Sequence, residues 1–300
     1  MEMAEPLSLL ERIRGGLYGV AVGDALGGTT EFMSRTEIQK TYGYLTEMIG
    51  GGVWELEPGE VTDDTMMTLC VANGIVEQPD APVAAIGEHF LAWYRSDPKD
   101  IGNIIRSVLG RYEGSWMEAA FVAHMDLGQS AGNGALMRCL PAALAYANLE
   151  EVERVSRQQA KMTHYDERCA AACMMYNRIA HRMLTEGAGL QEAIAVEIAG
   201  TEYADLLQRG ADPGCEPTGF VVDTLRWVLH LLLTSNSFEE VVQRAANEGG
   251  DSDTIGAIAG GLAGIHYGYA GIPQRYAERI MIRERLEALS RQLYALRLGR

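Results

Sequence analysis

The chain has 300 residues, 47% of them hydrophobic, which suits one large globular domain or two modest ones. Its 41 acidic side chains outnumber 25 basic ones, and the net charge of −16 argues against the basic face that a nucleic-acid partner requires. The same excess favours solubility and can host hard metal cations.

The N-terminal stretch MEMAEPLSLLERIRGG places acids and arginines where a signal peptide needs an apolar core, and no window approaches a membrane-spanning length. A soluble, cytoplasmic protein is expected. Leu10, Ile13, Leu17 and Val20 keep the spacing of a buried helical stripe that continues to Leu26. Asp24 lies inside this apolar run and needs partners; bonding to backbone groups near the turn is the expected role. Glu31, after a Thr-Thr pair, reads on its own as a surface glutamate. Trp54 sits in a glycine-flanked loop, where it could cover a cleft or merely anchor the chain.

Thr62-Asp63-Asp64-Thr65 opens a second helix with hydroxyls and acids in its first turn. Further helices are expected near 83–95, 101–112, 132–147, 150–162, 166–186, 189–198, 219–234, 237–247, 253–267 and 274–295. Asp100 would cap the helix that starts at Ile101. Gly132-Asn133-Gly134 reads as a turn into a helix, a geometry whose backbone N–H groups can face an anion. His164 alone reads as a structural histidine. The stretch 207–218 is the expected exposed loop. Cys70, Cys139, Cys169, Cys173 and Cys215 form no C-x-x-C pair and no spaced zinc set, so reduced, mostly buried thiols are expected, with Cys169 and Cys173 on one helix face. Alternating strand patterns are nearly absent, and one all-α domain over 1–300 is the expected fold.

The stretch EGGDSDTIGAIAGGLAG, at 248–264, sets Asp251 and Asp253 ahead of a small and apolar run. Either acidic cluster alone is an ordinary cap that complements the helix dipole. Two clusters of one design, T-D-D-T and D-S-D-T, point elsewhere. A helix needs one cap, and carboxylates gathered at two helix starts repel unless a cation lies between them. Oxygen-only ligands suit magnesium, manganese or calcium rather than zinc.

The blocks GVAVGDALGGTTEF, PGEVTDDTMM, SAGNGALMR, MTHYDERCA, FVVDTL and EGGDSDTIGAIAGGLAG resemble, in this order, those of the ADP-ribosylglycohydrolases. Within that family the chain looks most like the dinitrogenase reductase-activating glycohydrolases, which remove ADP-ribose from an arginine side chain. The resemblance implies an all-α fold with two magnesium or manganese ions in a cleft, held by Glu31, Thr62, Asp63, Asp64, Asp251, Asp253 and Thr254. It moves Glu31 from the surface to the metal site, as a ligand or water-orienting base, with Asp64 as the other candidate base. It sets Asp100 beside the bond that is cleaved. Gly132, Asn133, Gly134 and His164 would contact ADP-ribose, and Phe220 would stack on its adenine. The implied partners are an ADP-ribosylated protein, with dinitrogenase reductase as the example, and regulatory proteins of the nitrogen-signalling type. Release of ADP-ribose from another acceptor, such as serine or a small molecule, and a non-catalytic ADP-ribose-binding role are the alternatives.

Overall fold

The computed structural model describes residues 7–208 and 211–299. In chain order its α-helices are α1 (Leu9–Gly27), α2 (Arg35–Tyr42), α3 (Asp63–Glu77), α4 (Val83–Tyr94), α5 (Asn103–Gly110), α6 (Trp116–Leu127), α7 (Pro141–Ala145), α8 (Leu149–Lys161), α9 (Glu167–His181), α10 (Leu190–Ile198), α11 (Val221–Thr234), α12 (Phe238–Glu248), α13 (Ser252–Tyr267), α14 (Gln274–Ala277) and α15 (Arg283–Leu298). Among the described residues there is no β-strand, only isolated bridges. The all-α expectation holds, and one connected apolar core runs from Ile13 on α1 to Leu293 on α15.

Two helices run antiparallel through the centre. Gly15, Gly19, Gly23 and Gly27 recur every fourth residue along one face of α1 and meet Gly264, Gly260, Gly256 and Ser252 of α13. The backbones touch: a Cβ on Gly19 would stand 2.1 Å from the Gly260 carbonyl oxygen, and one on Gly23 1.9 Å from that of Gly256. No side chain fits this seam. Because the helices are antiparallel, the C-terminal end of α1 and the N-terminal end of α13 arrive at the same place, bringing Asp24 and Glu31 towards Asp251 and Asp253.

Several boundaries differ from the sequence expectation. The helices α2 and α6 are additional, and Ser34 and Ser115 accept from the Glu37 and Glu118 backbone N–H groups at their starts. The expected helix 132–147 is a 3₁₀ turn, Asn133–Ala135, followed by the short α7, because Pro141 cannot continue an upstream helix. The segment 166–186 closes with a π-helical turn, Arg182–Glu186, and 274–295 is split into α14 and α15. The expected loop 207–218 follows a 3₁₀ turn at Ala204–Leu207; its residues 209–210, like 1–6 of the N-terminal stretch, lie outside the described residues. The five cysteines are free thiols, with Cys169 and Cys173 both buried on α9.

Gly19→Ala tests the seam. Helix propensity alone favours alanine by about 1 kcal/mol, yet the methyl would strike backbone, so a loss of about 3 kcal/mol is expected. Gly16→Ala, where the nearest atoms are side-chain carbons of Ile265 and Leu144 at 3.1 and 3.3 Å, is expected to cost less than half as much. Urea unfolding midpoints of the two variants measure the difference.

Candidate metal centre and cleft

A cleft of about 960 Å³ opens over the joined ends of α1, α3 and α13. Its wall includes Glu31, Asp63, Asp100, Asp251, Asp253 and Thr254, and also the Gly132-Asn133-Gly134 turn, His164 and Phe220. Residues from distant parts of the chain, singled out on sequence grounds, therefore share one cavity.

The acids are not consumed by helix capping. Thr62 caps α3 by accepting from the Asp64 N–H, which leaves the Asp63 and Asp64 carboxylates available. Asp251 occupies the N-cap position of α13 but makes no side-chain cap bond. That corrects the simple cap reading of Asp251: its carboxylate accepts Asn133 Nδ2 at 2.5 Å. Asp253 accepts the Thr254 N–H at 2.8 Å. Glu31 is held close to them by a backbone clasp, Phe32 N–H to Gly250 O at 2.7 Å and Gly250 N–H to Met33 O at 2.9 Å. Gly249 and Gly250 must be glycine here, since both have positive φ and a Cβ on either would lie 2.1 Å from a carbonyl oxygen.

Oxygens of Glu31, Asp251 and Asp253 lie within 4.8 Å of one another. A second group adjoins it. Asp64 Oδ2 is 3.3 Å from Thr62 Oγ1 and 3.2 Å from Thr254 Oγ1, and Thr62 Oγ1 is 3.5 Å from Asp253 Oδ2. Asp253 thus stands between both groups. Asp64 Oδ1 is buried without a hydrogen-bond partner. An orphaned carboxylate oxygen inside an all-oxygen donor set fits a hard divalent cation.

The electrostatics agree. Burial, reinforced by Asp251 and offset by the Trp54 N–H, pushes Glu31 up to about 7. Burial and Asp251 push Asp63 up to about 6. Asp64 and Asp253 are raised further by burial and by their carboxylate neighbours. Asp100 rises to about 9 through burial and the charges of Asp63, Glu31 and Asp24. It does not cap a helix: α5 begins at Asn103 with Gly102 before it, and Asp100 faces the cleft. Asp24 bears out its structural role, receiving the Thr62 and Thr65 N–H groups at 3.0 Å and the Thr65 hydroxyl at 2.5 Å, and so fixes the start of α3.

The remaining residues build the opposite wall. The glycine turn opens the short 3₁₀ turn Asn133–Ala135 rather than the expected longer helix; the Asn133 N–H goes to Gly219 O, and its side chain bridges Asp251 and Thr224. His164 is buried beneath the turn, its Nδ1 2.8 Å from Thr163 Oγ1, and burial and Arg138 depress it to about 3, so it is neutral. Phe220 is half-buried at the start of α11 with the Arg168 guanidinium 5.1 Å from its ring centre. Sequence reasoning left two participants unassigned. Trp54 Nε1 donates to Glu31 Oε2 at 2.5 Å, a contact between distant loops. Arg138 is fully buried behind the turn, bonded to Gln159 and Thr163 and stacked on Phe90; its place inside the SAGNGALMR block was the available signal.

A sequence profile of the ADP-ribosylglycohydrolase family matches residues 5–300. The chain belongs to that family. It is 37% identical over 296 residues to the ADP-ribosyl-[dinitrogen reductase] glycohydrolase of Rhodospirillum rubrum, covering 96% of each chain. It is 31% identical over 305 residues to the ADP-ribosylarginine hydrolase Tri1 of Pseudomonas putida (strain GB-1), covering 96% of this chain and 79% of that one. A solved structure described as an ADP-ribosylglycohydrolase-related protein complex superposes with a TM-score of 0.82 at 32% identity, over 96% of this chain and 98% of that one. As in the sequence expectation, no helix among the described residues of this ADP-ribosylglycohydrolase is long and apolar enough to cross a membrane.

Raised carboxyl pKa values set the sign of a pH effect. The folded protein keeps a proton on Glu31 up to about pH 7, whereas the unfolded chain loses it near the ordinary value of 4.5. Metal-free stability should therefore fall as pH rises through that window. The melting temperature of the metal-free protein is expected to drop between pH 5 and 8, and manganese to restore it most strongly at pH 8. A flat profile, unaltered by manganese, would contradict the cation assignment.

Proposed function

We propose that this protein is a metal-dependent hydrolase that removes ADP-ribose from an arginine side chain of a modified protein. The observation that carries the reading is a nucleotide-sized cleft lined by buried carboxylates and adjoined by Asp64, whose Oδ1 has no hydrogen-bond partner, in a chain similar along its length to arginine-specific hydrolases. Dinitrogenase reductase, the target in the name of the Rhodospirillum rubrum relative, is the first substrate to test. Free thiols fit a cytoplasmic enzyme.

The bond to be broken joins the anomeric carbon of the distal ribose to a guanidinium nitrogen. That group is already cationic and leaves as a neutral guanidine with little need of a general acid. The demand falls on the oxocarbenium-like sugar and on delivery of water. Two magnesium or manganese ions bound by Glu31, Thr62, Asp63, Asp64, Asp251, Asp253 and Thr254 would supply charge stabilisation and a water of lowered pKa.

Of the two candidate bases, Glu31 is the better placed. Trp54 fixes its Oε2 at the cleft wall, whereas Asp64 does not line the cleft. Asp64 is bound by Thr62 and Thr254 and is the alternative. Asp100, on the cleft wall, receives the guanidinium in a charge-assisted pair that aligns the leaving nitrogen. Gly132, Asn133 and Gly134 line the ADP-ribose cleft, with neutral His164 behind them and the Phe220 ring as the surface for adenine.

With manganese, release of ADP-ribose from ADP-ribosyl-arginine is expected, with serine-linked peptides left intact. Cleavage of the serine-linked form alone would overturn the acceptor assignment. Asp251→Ala should lower kcat by more than ~100-fold, beyond the usual cost of losing a group behind a metal ligand. Its circular dichroism should match wild type, and calorimetry should show weakened manganese binding. Near-normal activity at saturating manganese would refute the role of Asp251.

A further inference from the structure

The helix α6 is built inside out. Its buried positions are Ala119, Ala120 and Ala123, which pack with Val108 in a small cluster apart from the main core. Trp116 at its start is half-buried and stacked on Tyr112, but its other large apolar side chains, Met117, Phe121, Val122, Met125 and Leu127, are exposed, Met125 by 63% and Met117 by 54%. Met117, Phe121 and Met125 are spaced by four and form one row along the helix. A helix held only by its own domain turns such a row inward, so folding does not explain this arrangement. Among the charged groups of this helix, Asp126 is already paired with Arg111.

The C-terminal end of α6 meets the cleft: Leu127, its last residue, and Gln129 form part of the cleft wall. Phe121 packs edge-on against Tyr165 at 5.1 Å, and Tyr165 is the chain neighbour of His164, which lines the cleft. On the cleft wall formed by the other loop, Phe32 is 66% exposed and is held at φ +63°, a region that bulky residues rarely occupy. Phe32 and Leu127 are therefore displayed at the mouth, with the exposed row of α6 beside it.

We propose that the outer face of α6 is the surface on which the ADP-ribosylated protein rests while its modified arginine enters the cleft. This rests on the arginine-hydrolase reading above. A free nucleotide fills the cleft and does not extend over Met117 or Phe121, which lie outside it. An arginine side chain, in contrast, tethers its protein within its own length of the mouth, so that the protein's surface must lie on the rim. Methionine and phenylalanine suit this task, since they adapt to differing apolar surfaces and carry contact energy at protein interfaces.

The test is the double variant Phe121→Asp with Met125→Asp, neither of which lines the cleft. Two substrates are compared with manganese: ADP-ribosylated dinitrogenase reductase and free ADP-ribosyl-arginine. The expected result is a roughly ten-fold or greater rise in KM for the protein substrate, with kcat/KM for the small substrate unchanged. The small substrate also reports on folding and on the cleft. Unchanged kinetics on the protein substrate would overturn the docking surface and leave the hydrolase reading standing. An equal loss on both substrates would assign α6 a structural role instead. A wild-type dimer in sedimentation that the variant dissolves would assign the face to a second copy of this chain. Wild type inactive on both substrates would overturn the arginine-hydrolase reading, and this proposal with it.

Discussion

Backbone contact between α1 and α13 is the constraint on which the rest depends. With glycine at each crossing, the helices approach until carbonyl oxygens of one meet the α-carbons of the other. At that separation Ser252 Oγ reaches the Gly27 carbonyl at 2.9 Å, and Thr30 reaches both Ser252 and the Ala246 carbonyl. These bonds fix how the chain leaves α1 and enters α13. The acids are carried on those exits. Any side chain in the seam would separate the ends and pull the oxygen cluster apart.

The cluster is costly to the metal-free protein. Glu31, Asp63, Asp64 and Asp253 are all buried, and the charges of Glu31, Asp63 and Asp64 raise the pKa values of their neighbours. Asp24 is the contrast. It is equally buried, but it receives backbone and hydroxyl hydrogens that hold the turn of α3. A carboxylate with donors around it is structural, whereas Asp64 with an unpartnered oxygen is poised for a cation. Such strain is common where a fold serves chemistry as well as stability.

The two acidic clusters and the glycine run after Asp251 were readable because each is local, and their purpose followed from chemistry that a lone cap does not need. Asp24 was readable too, since an aspartate in an apolar stripe must find donors. What stayed hidden depends on distance in the chain. The Trp54–Glu31 bond joins two loops that meet at Gly52 and Gly28, where a Cβ on Gly52 would lie 2.2 Å from the Gly28 carbonyl oxygen. The break between Asn133 and Pro141 has a local cause, yet small and apolar residues on both sides read as one helix. The helix α6 was missed because its buried side is alanine, so its periodicity runs against the usual pattern.

Asn133 gives the site a further property. One amide nitrogen bridges the glycine turn, where the nucleotide would lie, to Asp251 in the oxygen cluster. One N–H of this amide goes to Thr224 and the other to Asp251. A ligand that draws on Asn133 changes the charge density Asp251 offers, and a cation on Asp251 changes the donor Asn133 presents. Linkage makes the two effects equal in free energy. In the structure itself, this one side chain ties the glycine turn on one wall of the cleft to a carboxylate of the oxygen cluster on the other.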